Sequence, residues 1–204
     1  MRNAAIPICY FYGKKKALEY AKKQSLITHQ GNEAAGCCQL MTFIIWKILK
    51  YKTGKPEKKV NLKEILEDLS DFNCKYESVN FLAHSKPEGK DKNRNWNWKV
   101  KHYEYSIDRA TKKPGYIGSY CMDGLAMALN KLYNTNNFKD AILEGVNLCG
   151  DADSVGSVIG QIAGAFYGLD SIPKDWIKTI NKWDNNEIAL RGYILCHLKE
   201  IKNK

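Results

Sequence analysis

The chain has 204 residues, 44% apolar and 26% charged with five prolines, a length and composition that support one sizeable hydrophobic core. No apolar run approaches the ~18–20 residues that cross a bilayer, and the N-terminal MRNAAIPICYFYGKKK is broken by Pro7 and lacks the small-residue cleavage site of an export signal. The net charge of +10 is concentrated in residues 1–100, where 19 Lys/Arg face 10 Asp/Glu; that bias suits an anionic partner such as a nucleotide or nucleic acid, and ordinary solubility explains it as well.

Nearly every structured segment carries the helical period, and strand-like alternation is scarce. Lys15 to Ile27 sets Leu18, Ala21 and Ser25 on one face. Ala34 to Tyr51 reads as a longer apolar helix through Leu40, Phe43, Ile44 and Ile48, stopped by Gly54 and Pro56. Asn61 and Glu64 are spaced to cap the short amphipathic segment NLKEILEDLS. Residues 82–118 form the one long irregular stretch, polar and basic, with Trp96 and Trp98 two positions apart. Tryptophans interleaved with the cations of Lys86 to Lys101 can stack on nucleic-acid bases; more commonly such aromatics pin a long loop to a core. Helical patterning resumes at Tyr120 to Leu132, Phe138 to Leu148, Ser154 to Tyr167, Pro173 to Trp183 and Glu187 to Ile201, with Pro173 where a first-turn proline is favoured. No internal repeat or domain boundary interrupts the chain, so the expectation is a single all-α domain over 1–204. Seven cysteines, an odd number without CxxC spacing and mostly inside apolar stretches, read as packing residues in a reducing, cytoplasmic setting.

The sequence NLCGDADSVGSVIGQIAGAFYG, Asn147 to Gly168, places Asp151 and Asp153 before an apolar helix, with no Lys or Arg within it. Taken alone this is good helix-capping and turn chemistry. As a pair the acids say more: two carboxylates about 5 Å apart repel by roughly 3 kcal/mol at an effective dielectric of ~20, so burying both calls for a counter-charge. A hard divalent cation supplies one, and the Ser154 hydroxyl adds an oxygen. The site is not an EF-hand, because the positions that loop reserves for its fifth and twelfth residues hold Val155 and Ile162. Gly156, Gly160, Gly164 and Gly168 recur every four residues and form a smooth stripe on which another backbone or a ligand can approach closely.

GDADS opening a Gly/Ala helix, followed by SIPKDWI, resembles the C-terminal signature of the ADP-ribosylglycohydrolases. MRNAAIPICYFY resembles the Met-Arg-x-x-Pro segment of that family, QSLITHQGNEAAGCC its Thr-His between two helices, and GYIGSYCMDGLAMAL its Gly-Tyr loop running into a helix. Four separated elements thus agree in order.

The resemblance implies an orthogonal all-α helical bundle that hydrolyses the bond between ADP-ribose and an acceptor, using a pair of divalent metals, Mg²⁺ or Mn²⁺. It implies that Asp151, Asp153 and Ser154 are metal ligands, Ser154 standing where Thr is usual. His29 would bind substrate, and Gly115, Tyr116, Gly118, Ser119 and Tyr120 would wrap the ribose and base. In the family the catalytic acid, and a Thr-Asp-Asp element completing the metal pair, lie before the segment matching Met1, so half of the metal ligands are expected here and the catalytic residue is unassigned. The expected partner is ADP-ribose or an ADP-ribosylated protein, met by a cytoplasmic monomer with no membrane contact. A non-catalytic ADP-ribose or nucleotide-binding module is the alternative, and a basic nucleic-acid binder a more distant one.

Overall fold

The computed structural model describes residues 1–54, 59–88, 94–103 and 119–202, with side chains through 197. Ten α-helices and no β-strand occur among these residues: α1 Ala5–Cys9, α2 Lys14–Thr28, α3 Asn32–Thr53, α4 Leu62–Glu67, α5 Glu77–Ala83, α6 Cys121–Asn134, α7 Phe138–Val146, α8 Ala152–Tyr167, α9 Lys174–Asp184 and α10 Glu187–Lys202. The all-α expectation holds. The two shortest additions, α1 and α5, run five and seven residues, too short to display a full apolar period.

The core forms where three apolar stripes meet. Leu40, Ile44 and Ile48 of α3, Ala126 and Leu129 of α6, and Val155, Ile159 and Ile162 of α8 are all buried, and each set repeats at three- or four-residue spacing. Burying a side chain of this size contributes about 1.5–3 kcal/mol, which outweighs the marginal stability of the isolated helices. Helix α2 lies along α3, while α8 packs against α3, α6 and α7, so α8 enters the structure from its centre.

Local chemistry sets the helix ends. The Asn61 side chain accepts from the Glu64 backbone N–H at 2.8 Å and Glu64 returns the bond to the Asn61 N–H at 3.4 Å, so the capping box is formed as its spacing predicts. Pro173 lies at the N-cap of α9. Asn185 and Asn186, both in the left-handed region at φ of 50° and 64°, turn the chain from α9 into α10, a conformation that Asn tolerates better than most residues. Helix α10 then packs against α1.

The expectation for 82–118 divides. Positions 89–93 and 104–118 lie outside the described residues. In the described part, Trp96 and Trp98 are fully buried, with the indole N–H of Trp98 donating to the Leu82 carbonyl at 2.6 Å. The Asn130 amide on α6 donates to the carbonyls of Trp98 and Val100, both at 2.8 Å. These tryptophans therefore anchor the segment to the core, and the base-stacking alternative is overturned, because a ring buried in protein has no free face for a base.

Two further expectations need correction. Cys149 and Cys196 are exposed, so packing does not account for all seven cysteines. Only one glycine of the stripe marks a close approach: a Cβ at Gly156 would come within 2.8 Å of Val146 Cγ1 on α7, whereas one at Gly160 would make an ordinary 3.6 Å contact with Ile142 and one at Gly164 or Gly168 would meet nothing within 4 Å. The close approach is confined to the end of α8 that begins with Asp151. No helix among the described residues is long and apolar enough to cross a membrane.

Candidate functional site

The first four residues are fastened to the middle of α8. The Gln161 side-chain oxygen accepts from the backbone N–H groups of Asn3 and Ala4, and its amide donates to the Met1 carbonyl. The buried Asn3 amide donates to the Cys38 carbonyl at 3.0 Å and to Thr42 Oγ1 at 2.8 Å, tying the same segment to α3. Between this segment, the end of α2, the start of α6 and the start of α8 lies an open cavity of about 280 Å³.

Five residues singled out from the sequence reach that cavity: His29, Ser119, Tyr120, Asp151 and Ser154. They come from stretches separated by up to 125 positions in the chain. His29 is the C-cap of α2 and exposed at the cavity wall, its Nδ1 within 2.9 Å of Thr28 Oγ1. Tyr120 is the N-cap of α6, with Ser119 before it. Gly115, Tyr116 and Gly118 lie outside the described residues.

Asp151 occupies the N-cap of α8 yet makes no side-chain capping bond, so the capping interpretation of this carboxylate is not realised. The turn before it is tight: Cys149 is left-handed at φ 54° and Gly150 has φ 133°, a value that residues with a Cβ rarely adopt. Ser154 lies one turn into α8, its Oγ 3.3 Å from the Met1 sulfur. Asp153 is exposed and does not line the cavity.

The two acids do not form the buried pair that would call for a cation. With Asp153 exposed and Asp151 half-buried, water screens both charges, and their mutual repulsion does not by itself demand a counter-ion. The donors remain suitable in kind, since carboxylate and hydroxyl oxygens are what Mg²⁺ and Mn²⁺ prefer. They are short in number: among the described residues no group of three or more His, Cys, Asp or Glu side chains is placed to hold a metal ion.

The wall at Tyr120 holds what sequence reasoning missed. The Tyr120 hydroxyl donates to Glu33 Oε2, and Arg94 Nη2 bonds both Glu33 Oε1, at 2.5 Å, and the Tyr120 oxygen, at 3.1 Å. Arg94 Nε also pairs with Glu88 Oε2 at 2.6 Å. Glu33 lies within the quoted element QSLITHQGNEAAGCC but was given no role there, and Arg94 is 61 positions away outside every quoted element, so nothing in the sequence pairs them. Three thiols, Cys37, Cys38 and Cys121, also line the cavity. Burial raises Cys38, and Cys37 is held well above the usual thiol value by its hydrogen bond with Cys121 and by burial.

The ADP-ribosylglycohydrolase family model matches residues 1–200. The chain belongs to the ADP-ribosylglycohydrolase family. Among its relatives, the ADP-ribosylarginine hydrolase of Pseudomonas putida is 31% identical over 157 residues, covering 77% of this chain and 34% of that protein. The ADP-ribosylarginine hydrolase of Serratia proteamaculans is 53% identical over 58 residues, 28% of this chain and 16% of the relative. The ADP-ribosyl-[dinitrogen reductase] glycohydrolase of Rhodospirillum rubrum is 35% identical over 74 residues, 36% of this chain and 25% of the relative. The chain thus spans about a third or less of the length of these relatives.

Proposed function

We propose that the cavity binds ADP-ribose and that the chain acts in metal-dependent removal of ADP-ribose from a modified acceptor protein. The observation that carries this reading is the convergence of His29, Ser119, Tyr120, Asp151 and Ser154 on one open cavity. They were singled out through three separate sequence elements, around His29, Tyr120 and Asp151, and chance gives no reason for three such elements to share a wall. His29 offers a ring nitrogen to the substrate, Tyr120 a stacking face, and Ser119 a hydroxyl beside it. Asp151 and Ser154, with Asp153 close by in sequence, contribute oxygens toward Mg²⁺ or Mn²⁺. When bound, such a cation supplies charge stabilisation and orients the ribose hydroxyls. Arginine is the acceptor to test first, since two of the relatives are named for it.

The second reading is ADP-ribose binding without turnover. What favours it is the small number of metal-donor side chains gathered by the described residues.

Calorimetric titration of residues 1–204 with ADP-ribose, with and without Mg²⁺, tests the first claim. Binding that strengthens with Mg²⁺ and weakens about tenfold or more in Asp151→Asn supports it. Absence of binding by a folded wild-type sample refutes it. Incubation with an ADP-ribosylated arginine peptide, followed by chromatography for free ADP-ribose, then separates hydrolysis from binding alone.

A further inference from the structure

Tyr120, in the cavity wall, is braced at its hydroxyl end by two charged side chains. A phenol has one proton to donate, and that of Tyr120 goes to Glu33 Oε2. Its oxygen accepts from Arg94 Nη2 at 3.1 Å. Arg94 is held in turn by Glu33 at 2.5 Å and Glu88 at 2.6 Å. Its guanidinium carbon lies 5.6 Å from the centroid of the buried Trp96 ring, whose indole N–H donates to Glu88 at 3.2 Å. Trp96 and Tyr120 themselves lie 6.4 Å apart at 50°. Glu33, Glu88 and Arg94 are not cavity residues; Tyr120 is.

We propose that Glu33 and Arg94 are positioning residues for Tyr120: they hold its hydroxyl away from the chemistry, so that Tyr120 serves substrate as a fixed aromatic face and not as a proton donor. The proposal rests on reading the cavity as the ADP-ribose site. A ring held at its far end by charge-assisted bonds loses little further freedom when a ligand stacks on it, and that preorganisation strengthens binding. The bracing also accounts for Arg94 being surrounded by two carboxylates where one would neutralise it. Burial and the Glu33 carboxylate both push the Tyr120 phenol well above its usual value, consistent with a proton that stays in place.

The test measures ADP-ribose affinity in Mg²⁺ for wild type, Glu33→Gln, Arg94→Lys, Tyr120→Ala and the Glu33→Gln/Tyr120→Ala double variant. Lys47→Gln, which breaks an ion pair with Asp68 away from the cavity, is the control. The expected loss is about three- to tenfold for Glu33→Gln and for Arg94→Lys, none for Lys47→Gln, and no further loss when Glu33→Gln is added to Tyr120→Ala. A Glu33→Gln protein that binds like wild type, or whose loss persists in full in the Tyr120→Ala background, overturns the proposal while leaving the site reading intact. A folded wild type that binds no ADP-ribose removes both. Should Glu33→Gln fail to fold, Arg94→Lys and its double variant with Tyr120→Ala carry the same comparison.

Discussion

Gln161 accepts the backbone N–H groups of both Asn3 and Ala4 on a single side-chain oxygen, at 3.1 and 2.8 Å. One residue in the middle of α8 thereby fixes the segment that forms one side of the cavity. Replacing it with the similarly sized Leu leaves two partly buried donors without that acceptor. The expected cost is about 2 kcal/mol in urea unfolding. Gln161→Glu, which keeps an acceptor oxygen, should cost less. Equal losses for the two variants would mean that side-chain volume, not the shared oxygen, holds the segment.

The glycines of α8 should respond to alanine with opposite signs. At Gly156 an added Cβ would sit 2.8 Å from a methyl of Val146, a β-branched side chain with little rotameric freedom, so α7 must move away. Gly156→Ala is expected to destabilise by about 1–3 kcal/mol. At Gly164 the Cβ meets nothing within 4 Å. There the gain in helix propensity prevails, and Gly164→Ala should stabilise by up to about 1 kcal/mol. Thermal or urea unfolding of the two single variants decides the matter.

Trp98 should act as a core residue. It is fully buried and its N–H is bonded to the Leu82 carbonyl. Trp98→Ala is expected to cost about 3–5 kcal/mol, through the cavity it opens and the carbonyl it leaves without that donor. Trp98→Phe should cost less. Stability read by urea unfolding should change in that order; an unchanged stability with altered binding to single-stranded RNA would restore the base-stacking reading.

Glu33 ties stability to acid pH. Burial pushes its carboxyl up, but bonds from Tyr120, Arg94 and Ser78 outweigh that and leave it below the usual 4.5. A folded-state pKa below the unfolded one contributes stability that is present above about 4.5 and lost as pH falls through the lower folded value. The stability gap between wild type and Glu33→Gln should therefore be constant near neutrality and shrink below about pH 4.5. Paired urea titrations at several pH values measure it, and a gap that does not change in acid would show that the carboxylate is not the source.

Local pattern alone determined the helices that display their own period, because which face of α3, α6 or α8 is apolar depends only on residues three and four apart. The Asn61–Glu64 capping box was legible for the same reason: both partners lie within one turn. The family elements around His29, Ser119, Asp151 and Ser154 were equally readable as words in the chain. Tertiary structure decided what those words do. It brought them to one cavity, left Asp153 exposed beside a half-buried Asp151, and used only Gly156 of the glycine stripe for a close approach. It also joined Glu33 to Arg94 and Tyr120 across 61 and 87 positions. Burial and long-range charge pairing depend on which helix packs beside which, and that is set by the whole core at once, so no window of the sequence contains it.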